Sequence, residues 1–390
     1  MLPSIQEINL EVIRDPFFIY RPVNLKKNVE FFLKSFSGEI LYAVKTNPSK
    51  FILKHIYELG IKSFDVASIN EVRFIRTLFN DAKIFFMNPV KPRMAIKEAY
   101  FNYDVRNFSL DTFDELDKIL QETNFANDLN LHLRINVSND FAKIDLSKKF
   151  GADGNEAKQL LKKTKEYAKK IGVCFHTGSQ CMNPDAYKFA IKKIAKLILE
   201  SKFQVDFVNI GGGFPSKYPY MNPQPLNKYF AVIKKEFLRN FGTSSQTIML
   251  SEPGRVLVSN SMSLILRVDL RKKNNLYVND GVHGYLHNAG LHGFTYSAKI
   301  FREEKKSKLI PFSFYGPTCD SNDFMKGPFL LPDSINEGDF IELECMGAYS
   351  VTMKNNFNGF YSDINVFVDK ENDYQINNKN NSLYNKIDSN

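Results

Sequence analysis

No apolar run in this sequence approaches the ~18 residues needed to cross a bilayer. The longest, such as Ser263–Val268, are strand-length. Met1–Leu10 contains Gln6 and Glu7 and lacks the apolar centre of a secretion signal. The expected location is therefore the cytoplasm, with no membrane partner. Cysteine is scarce: Cys174, Cys181, Cys319 and Cys345 are the four in 390 residues, and none forms a C-x-x-C pair. That argues against a zinc ribbon or a redox motif and leaves free thiols as the default. His283, His287 and His292 lie close together, but spacings of four and five match no recognised zinc set, so no metal is expected. No internal repeat stands out beyond the β/α unit described below. Charge is unbalanced at +9, yet the lysines are scattered, as in Lys162, Lys163, Lys165, Lys169 and Lys170 along one helical stretch. Such a run is a solvated face, and without a groove-reading motif nucleic acid is not an expected partner.

What the chain does have is core. A hydrophobic fraction of 43% over 390 residues is that of a globular protein, and the length suits two domains. From about residue 38, short apolar runs alternate with amphipathic stretches. The runs are Leu41–Val44, Phe64–Ala67, Ile84–Met87, Val105–Leu110, Leu131–Val137, Val173–His176, Phe207–Ile210 and Thr247–Leu250. The stretches between them predict helices over Ser49–Leu59, Asn70–Leu78, Met94–Tyr100, Thr112–Gln121 (capped by Asp111), Asn155–Ile171, Asp185–Leu199 and Leu226–Phe241. Eight doubly buried strands with seven helices between them point to a parallel (β/α)₈ TIM-type barrel, with an open doubly wound sheet as the rival. From about residue 260 the runs turn short and β-rich: Ser263–Val268, Leu276–Val278, Leu309–Tyr315, Asp339–Leu343 and Asn365–Val368. The expected organisation is an α/β barrel over 25–260, a second all-β domain over 261–370 joined by a strand from 1–24, and a polar, mobile tail over 371–390.

Barrel active sites lie at the C-terminal ends of the strands. Those ends read Lys45, Asp65, Asn88, Asp111, Arg134, His176, Gly211-Gly212-Gly213 and Glu252. Successive glycines let backbone approach an anion, and with Arg255 they suit a phosphate. His176 could stack on a flat ring, Glu252 could pair with a ring cation, and Lys45 offers an amine to an aldehyde. Pyridoxal 5'-phosphate (PLP) has all of these parts. Taken singly, each residue has a bland reading: an exposed lysine, a structural histidine, a tight turn, an inert thiol. Joint placement at successive strand ends favours the site.

Here the sequence resembles a known family, the fold-III PLP decarboxylases of the ornithine and diaminopimelate decarboxylase group. The stretches that carry the resemblance are Tyr42-Ala43-Val44-Lys45-Thr46-Asn47, Phe64-Asp65-Val66-Ala67-Ser68, His176-Thr177-Gly178-Ser179, Gly211-Gly212-Gly213-Phe214-Pro215 and Glu252-Pro253-Gly254-Arg255. In the second domain they are Gly316-Pro317-Thr318-Cys319-Asp320, Gly347-Ala348-Tyr349 and Phe357-Asn358-Gly359-Phe360. The resemblance runs from about residue 15 to 368, in the family's order. It implies that Lys45 holds PLP covalently, Glu252 keeps the pyridine nitrogen protonated and His176 stacks on the ring. Ser179, Gly213, Arg255 and Tyr349 match phosphate-binding positions, and Asp65 and Arg134 match supporting ones. Cys319 matches a thiol reaching in from the other subunit, and Asp320 the acid that meets the substrate's distal amine. A homodimer with shared active sites is implied, with Lys149 and Asp323 matching a charged pair across its interface.

The implied activity is decarboxylation of a basic amino acid, L-ornithine to putrescine in polyamine biosynthesis before others. Asp320 favours the ornithine-like branch, because diaminopimelate enzymes usually carry glutamate there and need a cation for a second carboxylate. One departure stands out. Ornithine enzymes of the eukaryotic type have a Tyr-Asp pair in the loop after the Asn279-Asp280-Gly281 turn, whereas Leu286–His292 contains no acid. Lysine or dual lysine/ornithine use stays open, as does a catalytically silent regulatory homologue. Alanine racemase shares barrel and cofactor but matches less well in the second domain.

Overall fold

A computed structural model describes residues 2–10, 12–137, 141–146, 148–242, 246–302, 307–360 and 365–369. The expected tail, 371–390, lies outside the described residues. The chain divides into two compact units: Phe31–Ser216 with Pro223–Val256, and Met1–Glu30 with Lys217–Asn222 and everything from Leu257 on.

The first unit is a closed barrel of eight parallel strands: Glu39–Ala43, Ser63–Val66, Lys83–Phe86, Asn107–Leu110, Asn130–Arg134, Lys170–Cys174, Phe207–Asn209 and Ile248–Ser251. They pair in chain order. The ring closes where Leu250 and Ser251 pair with Glu39 and Ile40. The open-sheet rival is thereby excluded. Leu41, Phe85, Met87, Cys174, Phe207 and Leu250 pack together as one buried cluster. A packed barrel interior of this kind leaves chemistry to the strand ends.

Among the described residues, seven helices separate the strands, from Lys50–Glu58 to Leu226–Phe241. Three details of the helices differ from the sequence reading. The helix expected over Asn155–Ile171 runs Gly154–Tyr167, and Ile171 already belongs to the next strand, where its N–H donates to Asp206 Oδ2 at 2.9 Å. The helix Phe113–Glu122 is capped by Thr112, whose side chain accepts the Glu115 N–H, and not by Asp111. The Asp111 carboxylate instead accepts the N–H of Gly151 at 2.8 Å. The helix Pro22–Ser35 has no counterpart in the sequence reading.

The second unit is built on β-sheet and also holds the helix His287–Leu291 and residues 22–30 of the helix Pro22–Ser35. Its strands run Ala298–Ile300, Phe340–Leu343, Met262–Lys272, Asn275–Val278, Leu309–Tyr315 and Phe324–Pro332 across the sheet. Phe17–Tyr20 joins it, antiparallel to Met262–Lys272 and parallel to Asn365–Val368. The strand Phe324–Pro332 was not foreseen because Gly327, Pro328 and Pro332 read as breakers. Among the described residues no helix is long and apolar enough to cross a membrane.

Candidate active site

Lys45 sits in a single 3-10 turn, Val44–Thr46, just beyond the first barrel strand. Its Nζ lies 2.7 Å from Asp65 Oδ2 at the end of the second strand. The acid side chain is 2% exposed and the lysine 42%, so burial falls on the acid while the amine stands at the barrel mouth. The segment after Asp65 is tied down locally. Ser68 caps the helix Ile69–Leu78 by accepting the Glu71 N–H, and Glu71 Oε2 accepts the Ala67 N–H at 2.6 Å.

Glu252 follows the eighth strand. Its N–H donates to the Gly211 carbonyl at 2.9 Å, and its Oε1 accepts Asn209 Nδ2–H at 2.8 Å. The Asn209 side-chain oxygen in turn accepts the Gly211 N–H at 2.9 Å. Burial pushes the Glu252 carboxyl above the ordinary range, helped by the nearby Asp65 charge; Lys45, Arg134 and the Asn209 bond pull it back. An acid held this way is tuned to meet a cation.

His176 accepts the Gly178 N–H on Nδ1 at 2.9 Å, which assigns the ring hydrogen to Nε2. Burial, then the Arg134 and Lys45 charges, hold its pKa well below the usual histidine value. The ring is a neutral, flat surface.

The three glycines are required by close approach. A Cβ on Gly212 would meet the Glu252 carbonyl oxygen at 2.4 Å and His176 Nε2 at 3.2 Å. Gly213, at φ +94°, would place one 2.4 Å from the Gly178 oxygen. Beside them Arg255 is buried and donates from Nη2 to Ser179 Oγ at 3.0 Å. Ser179 opens a short ribbon, Ser179–Cys181 against Ala142–Ile144, which has no counterpart in the sequence analysis.

The barrel unit thus brings together Lys45, Asp65, Arg134, His176, Ser179, Gly213, Glu252 and Arg255. Asn88 and Asp111, also at strand ends, serve their loops: Asn88 donates to the Val90 carbonyl and Asp111 accepts from Gly151. Lys149 is exposed, with its ammonium 5.0 Å from the Phe150 ring centre. Tyr349, Cys319, Asp320 and Asp323 belong to the β unit. Tyr349 adopts a left-handed φ of 57°, and Cys319 is exposed. Asp323 is 2% exposed. Its carboxylate accepts the N–H of Val282 at 2.7 Å, the N–H of Thr318 at 3.1 Å and the Thr318 hydroxyl at 2.6 Å. Much of its capacity is therefore spent inside the chain.

Sequence reasoning missed Asn209 and Tyr187. Asn209 is a polar residue at the end of a fully buried strand, a signal that was readable. Tyr187 donates its hydroxyl to the Gly212 carbonyl at 2.8 Å from the first turn of the amphipathic helix Asp185–Ser201, where a tyrosine is indistinguishable from packing. Lys91 was also missed. It is fully buried, salt-bridged to Glu115 at 2.8 Å, and bonded to the Ser109 carbonyl at 2.5 Å. Burial lowers its pKa to about 8, against the pull of Glu115.

The donor set fits PLP part for part. A buried guanidinium with a serine hydroxyl, beside backbone that only glycine allows, is complementary to a phosphate. The neutral imidazole offers a face to the ring, the buried carboxylate a partner to the ring nitrogen, and Lys45 an amine to the aldehyde.

Residues 23–259 match the family model described as the pyridoxal-dependent decarboxylase, pyridoxal binding domain. A lysine/ornithine decarboxylase of Selenomonas ruminantium is 30% identical over 372 residues, covering 93% of this chain and 92% of that protein. Antizyme inhibitor 2 of Xenopus laevis is 31% identical, covering 91% and 81%. A solved structure of an SrLDC mutant in complex with PLP superposes with a TM-score of 0.81 at 28% identity over 92% of each chain. The match spans more than half of the sequence and agrees with the chemistry of the strand ends: the chain belongs to the pyridoxal-dependent decarboxylases, and its cofactor is PLP.

Proposed function

We propose that this protein removes the α-carboxylate of a basic amino acid, and that L-ornithine, giving putrescine, is its substrate. The observation that carries the reading is the Lys45 amine, held 2.7 Å from the buried Asp65 at the mouth of the barrel. When bound, PLP supplies the electron sink that makes loss of CO₂ from an amino acid feasible. The chain does the rest. Lys45 anchors the aldehyde carbon. Arg255, Ser179, Gly213 and Tyr349 hold the phosphate, and the His176 ring packs on one face of the pyridine. Glu252 keeps a proton on the ring nitrogen, and Arg134 and Asp65 set the charge around these groups. Cys319 delivers the proton that replaces CO₂ at the substrate's α-carbon, as a general acid. Asp320 takes the distal ammonium. The similarity to a lysine/ornithine decarboxylase supports the substrate class. Choosing ornithine over lysine rests on the short carboxylate of Asp320. A homodimer, with Lys149 and Asp323 facing each other across it, belongs to the same reading and is tested by sedimentation of the wild type against Lys149→Ala.

A second reading, a silent regulatory homologue, is favoured by the similarity to antizyme inhibitor 2. Lys45, Glu252 and Cys319 are all present, and they are the groups such a protein has no need of. The deciding experiment assays PLP-loaded protein against ornithine, lysine, arginine and diaminopimelate for CO₂ and amine release. Release from ornithine is the expected result. Consumption of diaminopimelate alone would overturn the substrate assignment, and no release from any would favour the silent reading.

A further inference from the structure

Two loops of the β unit meet at a histidine that the proposed mechanism leaves without a role. His283 Nε2 lies 2.8 Å from Asp320 Oδ2. The other oxygen of Asp320, Oδ1, accepts the N–H of Asn322 at 2.9 Å and its side-chain amide at 3.2 Å. Asp320 is therefore held at both oxygens by donors from two different loops, not by its own turn alone.

The placement of His283 is itself built. Its two flanks are clamped by buried aspartate side chains: Asp323 Oδ1 accepts the Val282 N–H at 2.7 Å, and Asp280 Oδ2 the Tyr285 N–H at 2.8 Å. Those clamps leave no spare room, since a Cβ on Gly281 would lie 1.9 Å from Asp323 and one on Gly284 1.7 Å from Asp280. A third segment closes on the histidine. The Asn355 N–H donates to the His283 carbonyl at 2.9 Å, and the Phe357 ring centre lies 4.6 Å from the imidazole. Asn355 Nδ2 stands 3.4 Å from Nδ1, which assigns the hydrogen on Nε2 to Asp320.

Three aspartates gather here, and their environments separate them. Asp280 and Asp323 are buried and turned to backbone N–H groups. The Asp320 side chain is 27% exposed. It is the acid of the three that an incoming ammonium can reach. With each oxygen already fixed by one face, the remaining lone pairs point in a set direction, which converts a mobile acid into a ruler for the position of a distal charge.

We propose that His283 is a specificity-determining positioning residue, which locks the Asp320 carboxylate so that it reads the distal ammonium of a diamino-acid substrate and of its diamine product. This rests on the reading of Asp320 given above. The alternative is that His283 only packs against Phe357 to hold the loops together. The two roles differ in what they move: packing affects every ligand, whereas orientation of Asp320 affects only ligands with a second amine.

The test uses the PLP-loaded protein and compares inhibition constants for putrescine and for n-butylamine, which lacks the second amine. The expected result is that His283→Leu lowers the preference for the diamine by about tenfold, the scale of one charge-assisted hydrogen bond. His283→Gln, whose amide can still donate to Asp320, should restore most of it. The loss should also vanish in an Asp320→Asn background, because the two residues act as one unit. Should His283→Leu weaken both amines equally, or keep the diamine preference while Asp320→Asn loses it, the inference is overturned and the reading of Asp320 survives. No diamine preference in the wild type would instead overturn the reading of Asp320 and this inference together.

Discussion

At the scale of single residues, the site depends on charges placed where water is excluded. Glu252 shows it best: burial raises its carboxyl, and the cations around it and the Asn209 bond hold it near the point of ionisation. Glu252→Gln keeps the shape and removes the charge, so kcat should fall by roughly 10²–10⁴-fold, the scale of lost proton control, with PLP still bound; unchanged turnover would refute the role. Asp280 offers a test independent of catalysis. Burial raises its pKa from 3.8 to about 8 in the folded chain. The folded state thus keeps a proton that the unfolded state has lost, so the associated stability is complete below the unfolded value and drains away as pH rises to about 8. Asp280→Asn preserves an acceptor for Tyr285 and cannot ionise. Its melting temperature should gain on the wild type steadily from about pH 5 to 8, and two parallel profiles would contradict the burial of this acid. Most residues of the barrel site were legible beforehand, because polar groups at the ends of doubly buried strands have few structural excuses. His283 was not, because its bond to Asp320 joins positions 37 apart in sequence, and nothing local marks it.

At the scale of elements, the turn after the eighth strand and the turn that carries Lys45 are fitted to each other. A Cβ on Gly254 would lie 2.0 Å from Thr46 Oγ1 and 3.3 Å from Ala43 Cβ. Gly254→Ala must therefore push the Lys45 turn outward. It should weaken PLP retention by about tenfold or more while costing ~1–3 kcal/mol of stability, measured by cofactor dialysis and denaturant unfolding; full retention would show that the turns have slack. Strands and helices were readable here because periodicity and length agreed. The exceptions have physical causes. Asp111 stood one residue before the true cap, Thr112, and its carboxylate was taken by Gly151. The ribbon bearing Ser179 has three-residue strands, too short to show alternation.

At the scale of the whole chain, the segment before the barrel is part of a later sheet. Phe17–Tyr20 lies between Met262–Lys272 and Asn365–Val368, and the next residue, Arg21, is buried against Glu342 at 2.7 Å and Ser263 at 2.5 Å. Arg21→Ala leaves Glu342 buried without its partner and should cost ~3–5 kcal/mol in denaturant unfolding; a cost below ~1 kcal/mol would show the pair to be dispensable. Alternation of strands and helices announced the barrel, and a strand from 1–24 was expected in the later sheet, but its partners there, Met262–Lys272 and Asn365–Val368, are too distant in sequence for any local pattern to name. The account as a whole stands on the identity of one lysine. Borohydride reduction of the PLP-loaded protein, followed by digestion and mass measurement of the peptides, locates the attachment directly. A pyridoxyl group on the peptide containing Lys45, absent in Lys45→Ala, is the expected result; the label on another lysine, or none at all, would contradict it.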